Sequence, residues 1–249
     1  MTLVADIGNS RLKWATAGAG GLADAGAAEH RTAGLARTLE DAWGRLRAPS
    51  RVVVANVAGE VAGGVVTGWV LARWGLVPEF VVAGEAAAGV RNAYPEPERL
   101  GADRWAALIG ARSLSAEAAC VVDCGTAVTA DALSAHGEHL GGLILPGLVL
   151  MRHSLLAGTA DVRPSGAADV ALLARNTAGA VLAGTLYALV AAVDRIAADV
   201  SAEIDGKVEL FLTGGDAALL LPLLGRRWRH EPELVLRGLA VLADAGPGD

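Results

Sequence analysis

The sequence predicts an α/β protein made of two similar domains with a cleft between them. Three observations carry this. Apolar runs of strand length alternate with helical stretches in the order β-β-β-α-β-α-β up to Val82. After a loop and a helix, a buried strand at Ala119–Asp123 starts the pattern again. The turn Asp6-Ile7-Gly8-Asn9-Ser10 also has a counterpart in Asp123-Cys124-Gly125-Thr126-Ala127, both of the form D-x-G-[NT]-small, and each closes the first strand of its half.

Residues 2–6 (TLVAD) read as a buried strand and 10–17 (SRLKWATA) as its hairpin partner, since Ile7-Gly8-Asn9 has turn chemistry. The Gly/Ala-rich stretch 17–28 reads as a third short strand with loops. Helical spacing at 33–46 is followed by a strand at 51–56 (RVVVAN), a helix at 61–73 and a strand at 79–82. Residues 84–100 are a loop broken by Gly89, Asn92, Pro95 and Pro97. A helix spans 102–114. Strands at 119–123, 128–133 and 140–145 follow, then helices across 147–157 and 169–199, a strand at 208–212, and helices near 216–225 and 235–244. The boundary falls in the helix after the loop, giving domains of 1–110 and 111–249.

Composition excludes several classes. Of 249 residues 53% are apolar and 19% charged, which rules out a disordered chain and supplies one large core or two modest ones. A net charge of −6 argues against a nucleic-acid binder, whose phosphate contacts need clustered Lys and Arg. The run Arg226-Arg227-Trp228-Arg229-His230 reads as a solvated basic face. On a strand, Cys120 and Cys124 stand about 13 Å apart, beyond disulfide reach, and read as core residues in a reducing cytoplasm. Asp6 falls where the apolar part of a secretory signal would run. Asn176 to Val193 carries no charge, but it is short, includes Thr177 and Thr185, and lacks an aromatic belt. It reads as a helix buried in the fold or at a subunit interface, with Tyr187 packed along it. The expectation is a cytoplasmic protein with neither membrane nor nucleic-acid partners.

The repeated turn is where chemistry is expected. D-x-G-N-S offers backbone N–H groups, a hydroxyl and a glycine that lets a ligand approach, so it suits a phosphate. The Asp ending each strand can hold a hydrated metal or a monovalent cation. Lys13 follows closely, placed to offset phosphate charge. One such turn needs no reading beyond a hairpin; two at matching places point to function. No G-x-x-x-x-G-K-[ST] is present, and Gly18–Gly20 opens no clear helix. Thr213-Gly214-Gly215-Asp216, between a strand and a helix, offers a shelf for a nucleoside. Asp103, in Gly101-Ala102-Asp103-Arg104-Trp105, stands in the first turn of a helix beside an Arg. It reads either as a dipole-complementing residue or as a proton acceptor in phosphoryl transfer. His153 has no evident acid or metal partner and reads as structural.

DIGNSRLKWA, NAYPEPERLGADRWAALIGA, VVDCGTAVTADAL, GGLILPGLVLM and LTGGDA occur in that order, with HEPELVLRGL after them, and together they span nearly the whole chain. This set resembles the type III pantothenate kinases, a family of the actin/sugar-kinase/Hsp70 superfamily. The resemblance implies two ribonuclease-H-like domains, an actin-like duplication. It also implies an activity: ATP-dependent phosphorylation of pantothenate to 4′-phosphopantothenate, the first step towards coenzyme A.

Roles follow from the same likeness. ATP phosphates would lie on the first hairpin, formed by Asp6, Ile7, Gly8, Asn9, Ser10, Arg11, Leu12 and Lys13. Thr126 would also contact ATP, with Gly214 and Gly215 as the nucleoside shelf. Asp123 would bind an activating potassium or ammonium ion, and Asp6 a hydrated divalent ion such as Mg2+. Gly101, Ala102, Asp103 and Arg104 would hold pantothenate, with Asp103 as catalytic proton acceptor and Tyr94 lining the pocket. Thr177 would reach the pocket of the partner subunit in a homodimer with a shared active site. Ser10 replaces the commoner Thr of the first turn. Asn56 stands where a Ser-rich turn is frequent, which leaves the role of that loop open. Two alternatives stand: a kinase of another small hydroxylated substrate, or a non-catalytic regulatory or accessory protein of the same fold.

Overall fold

The computed structural model describes residues 1–159 and 171–245. The chain forms two compact units: Met1–Ala116 with Leu133–Gly141 and Glu233–Asp249, and Glu117–Ala132 with Gly142–Pro232. The division differs from the single cut expected after residue 110. The helix at 102–114 belongs wholly to the first unit, and so do a short segment and the C-terminal helix that the sequence places in the second half.

The first unit begins with strands β1 (Thr2–Ile7), β2 (Arg11–Gly18) and β3 (Gly21–Glu29), then helix α1 (Leu35–Trp43), β4 (Arg51–Asn56), α2 (Glu60–Trp74) and β5 (Glu79–Phe80). The sheet order is β3-β2-β1-β4-β5, with β1 antiparallel to β2 and parallel to β4. β1 reads as an unbroken apolar run because it is central and covered on both faces. Alternation sends Leu3, Ala5 and Ile7 into the core that Leu35, Leu39, Trp43, Val66 and Val70 complete, and places Val4 and Asp6 on the opposite face. Asn56 ends β4 by an Asx turn: its Oδ1 accepts from the Ala58 N–H at 3.1 Å, and its Nδ2 donates to the Gly59 carbonyl at 3.0 Å. One Asn thus supplies the turn-closing bonds of this loop.

A two-residue ribbon, β6 (Ala86–Ala87) and β7 (Val90–Arg91), interrupts the expected loop before α3 (Ala102–Leu114). The second unit holds β8 (Ala118–Cys124), most of β9 (Ala127–Leu133) and of β10 (His139–Pro146), whose ends Leu133 and His139–Gly141 belong to the first, then α4 (Leu148–Gly158), α5 (Thr177–Glu203), β11 (Val208–Thr213), α6 (Ala217–Leu220) and β12 (Arg229–His230). The last helix, α7 (Leu234–Ala245), packs on α3 in the first unit. Two glycines allow this close approach: a Cβ at Gly238 would lie 1.8 Å from the Ala106 carbonyl oxygen, and one at Gly110 2.3 Å from that of Leu234.

The second sheet has the order β10-β9-β8-β11-β12, the same arrangement as the first. Its core gathers Val122, Val128, Leu186, Leu189, Val193, Leu212 and Leu220. Both cysteines are free and buried there, and burial pushes each thiol up to about 12, so both stay protonated at neutral pH. α5 is long and apolar enough, by length and composition alone, to cross a membrane. Its buried side nonetheless completes the core, and Arg152 Nε donates to Thr185 Oγ1 at 3.2 Å in the first half of the helix.

Four expectations need correction. The helix near 216–225 is only four residues long, because Pro222 lacks an N–H and a 3-10 turn, Leu221–Leu223, takes over. The basic run 226–230 is not merely a solvated face: Trp228 is buried, and Arg229–His230 is the edge strand, with Arg229 bonded to Glu231 at 2.7 Å and set over the Phe211 ring. Tyr187 is exposed rather than packed, and so is His153. Of the helix expected from 169, residues 169–170 lie outside the described residues, while 171–176 form turns and bends, so the helix begins only at Thr177, after the Asn176 cap.

Candidate active site

In the first unit, the β1–β2 hairpin sets Asp6 opposite Lys13 and Ile7 opposite Leu12. Directly opposed residues share a face, so Asp6 and Lys13 lie on the same face of the hairpin at its mouth. Ile7 and Leu12 are fully buried, which leaves only their backbone to face a ligand. The Gly8 N–H donates to the Arg11 carbonyl at 3.0 Å and closes the turn, and Asn9, Ser10 and Arg11 are exposed at its tip.

A second cluster of the same unit forms around the start of α3. Asp103 Oδ1 accepts the N–H of Arg104 at 2.8 Å. Gly101 is needed beneath it, because a Cβ there would lie 2.6 Å from that oxygen. Arg104 is buried, donates from Nη1 to the Tyr94 hydroxyl at 3.0 Å, and sits 5.8 Å from that ring's centre. Tyr94 is held by Asn92, whose Oδ1 accepts the Tyr94 N–H at 3.0 Å while its Nδ2 donates to the carbonyls of Gly84 and Pro97. The expected residues Tyr94, Gly101, Asp103 and Arg104 are therefore brought together.

Sequence reading missed His139. Its ring, 3% exposed, stacks on Tyr94 with centres 6.0 Å apart and planes 18° apart. It arrives on the β9–β10 turn, which docks on residues 89–91: the Arg91 N–H donates to the Gly137 carbonyl at 2.8 Å, and Arg112 Nη1 to that of Ala135 at 3.0 Å. Gly137, at φ +83°, leaves no space for a Cβ, which would meet the Gly89 oxygen at 1.9 Å. No spacing rule signals this; the two glycines were the available trace.

In the second unit, the β8–β9 turn closes through the Gly125 N–H to the Ala127 carbonyl at 3.1 Å. Two segments fold onto it. The Gly147 N–H donates to the Thr126 carbonyl at 3.0 Å, and the Asp216 N–H to that of Cys124 at 2.9 Å. Gly214 takes φ +98°, and a Cβ there would fall 2.5 Å from Asp123 Oδ1 and 2.4 Å from the Cys124 backbone. Asp123, Thr126 and Gly214 are thus assembled around one turn, with Gly215 exposed beside them. The four-residue α6 is too short to supply the helix terminus expected there. Thr177 is the exposed first residue of α5, and Asn176 caps that helix by accepting the Gly179 N–H at 2.7 Å.

Two five-stranded sheets of the same order, each led by a D-x-G turn, define the class: the duplicated ribonuclease-H-like fold of the actin-like ATPases and sugar kinases. The activator of 2-hydroxyisocaproyl-CoA dehydratase from Clostridium difficile, solved with ADPNP, shares this fold with a TM-score of 0.53 at 12% identity, over 97% of this chain and 93% of that one. A family model described as type III pantothenate kinase matches residues 2–199. The type III pantothenate kinase of Nitrosococcus oceani is 45% identical over 249 residues, 98% of this chain and 94% of the relative. That of Halorhodospira halophila is 41% identical over 244 residues, 96% of each. The chain belongs to the type III pantothenate kinase family.

Proposed function

We propose that the chain performs the reaction of its family, transfer of the ATP γ-phosphoryl group to the primary hydroxyl of pantothenate, with Asp103 as the proton acceptor. The observation that carries this is the arrangement at α3: a carboxylate fixed by the Arg104 N–H, beside a buried guanidinium tied to Tyr94. A small acid such as pantothenate offers a carboxylate for Arg104 and a hydroxyl for Asp103. Gly101 and Ala102 shape the backbone around it. As the hydroxyl oxygen bonds to phosphorus, its proton passes to Asp103 and the bond to the ADP leaving oxygen breaks. The backbone from Asp6 to Lys13 would cradle the ATP phosphates, with Ser10 and Lys13 as side-chain donors. Thr126, Gly214 and Gly215 would complete nucleotide binding.

Asp123 is the group we assign to potassium or ammonium, and Asp6 to the hydrated Mg2+ that accompanies ATP. Among the described residues no three of His, Cys, Asp and Glu gather into a metal-holding group. At the second turn the Asp123 carboxylate and the Cys124 backbone both lie close to Gly214, with the neighbouring Cys124 thiol kept neutral, and carboxylate oxygen suits a hard monovalent ion. When bound, such an ion offsets charge on the leaving phosphate. Wild-type turnover should therefore need potassium or ammonium, and Asp123→Ala should lose that dependence with most of the activity. Equal wild-type rates in sodium and potassium would contradict the site.

Exposed apolar side chains support a homodimer. Leu143, Ile144 (65% exposed), Val149, Leu150, Leu156 and Leu173 (84%) face outward in the second unit, as do the small residues Ala180 and Gly184 on α5. A second copy covering them would bring Thr177 to its neighbour's pantothenate. The compartment consistent with ATP and two reduced cysteines is the cytoplasm. ADP release tested against pantothenate and a series of sugars checks the reading: pantothenate alone should support it. A sugar serving better would favour the other kinase reading.

A further inference from the structure

The first hairpin is held from behind by His30, which has no part in the roles above. The residue follows β3, and its backbone N–H donates to the Ser10 carbonyl at 3.0 Å, extending the β2–β3 pairing one step beyond Arg11 and Glu29. Its ring Nε2 lies 2.9 Å from the Gly8 carbonyl oxygen. A carbonyl only accepts, so Nε2 is the donor in this bond. Nδ1 is buried and has no hydrogen-bond partner among the described residues, and the side chain as a whole is 7% exposed. An apolar side chain would fill the same space without leaving a polar atom unpaired. What the imidazole adds is therefore its bond to Gly8.

That bond has a directional consequence. Across a planar trans peptide the C=O of Gly8 and the N–H of Asn9 point opposite ways. Tying the carbonyl to His30 turns the Asn9 N–H away from the ring, toward the exposed side of the turn where Asn9 and Ser10 lie. We propose that His30 is a positioning residue for this turn: by holding the Gly8 carbonyl it aims the Asn9 N–H at a phosphate oxygen of ATP. The inference rests on the reading of the hairpin as the phosphate site.

The test compares His30→Leu, His30→Gln and Ser10→Ala in the potassium-supplied enzyme, with KM measured separately for ATP and for pantothenate. His30→Leu should raise KM for ATP about tenfold, the effect of one lost neutral hydrogen bond, and leave that for pantothenate unchanged. His30→Gln should recover most of the loss, because its amide nitrogen stands as many bonds from the backbone as Nε2 and also donates. An unchanged KM for ATP in His30→Leu, or equal defects in Leu and Gln variants, overturns the proposal. Ser10→Ala separates this from the underlying reading. If it raises KM for ATP while His30→Leu does not, only the role of His30 fails. If neither moves it, the hairpin is not the phosphate site and both fail. Should His30→Leu not fold, His30→Asn takes its place, since its amide falls one bond short of Gly8 and the same ATP defect is expected.

Discussion

Asp103→Asn is expected to lower turnover by about a hundredfold or more while leaving KM for ATP near its wild-type value. The structure explains why this substitution isolates the chemistry. The bond that orients the carboxylate is Oδ1 accepting the Arg104 N–H at 2.8 Å, and an Asn side chain keeps that acceptor. The second oxygen becomes an NH2 group, which cannot take up a proton. Gly101 stays beneath it, so the space is unaltered. Position is retained and basicity is lost. Near-normal turnover would show that proton transfer does not depend on this residue, and would return Asp103 to the role of a charge at the start of α3.

Mixing two inactive variants should restore activity if the site is shared between subunits. Asp103→Asn disables the acceptor, and Thr177→Arg places a bulky cation where the neighbour's pantothenate would bind. In a heterodimer one pocket then carries both defects and the other neither. Random pairing gives half heterodimers with one good site each, roughly a quarter of wild-type activity. The recovery must be read after proven subunit exchange. If both residues served the same chain's pocket, every pocket would keep one defect and mixing would restore nothing. The exposed position of Thr177 and the outward-facing Ile144 and Leu173 are the features that a partner copy would explain.

Much of the fold was legible because its signals are local. β4 and α3 have the limits that their apolar runs give, Arg51–Asn56 and Ala102–Leu114, and both D-x-G turns close hairpins. The errors lie where tertiary packing decides. α7 sits on α3 because Gly110 and Gly238 let two helices touch, a match between positions far apart in sequence. The strand Arg229–His230 was hidden because its length is two residues and its side chains are basic; pairing with β11 fixes it. At the candidate site, the residues within motifs were legible: Tyr94, Asp103 and Arg104 do meet. His139 and His30 were not, since each acts through one contact to a turn or ring distant in the chain. A single histidine at the end of a strand carries no periodic signal. Tyr187 was misread because α5 is apolar on nearly all sides, so hydrophobicity alone did not say which side faces out.

The measurement that tests the central claim most directly is phosphorus NMR of the purified protein with ATP, Mg2+ and pantothenate in potassium buffer. A phosphomonoester signal should grow in step with ADP and be absent when pantothenate is omitted or when Asp103→Asn replaces the wild type. ADP appearing only with inorganic phosphate, or no turnover of ATP in the presence of pantothenate, would contradict the account.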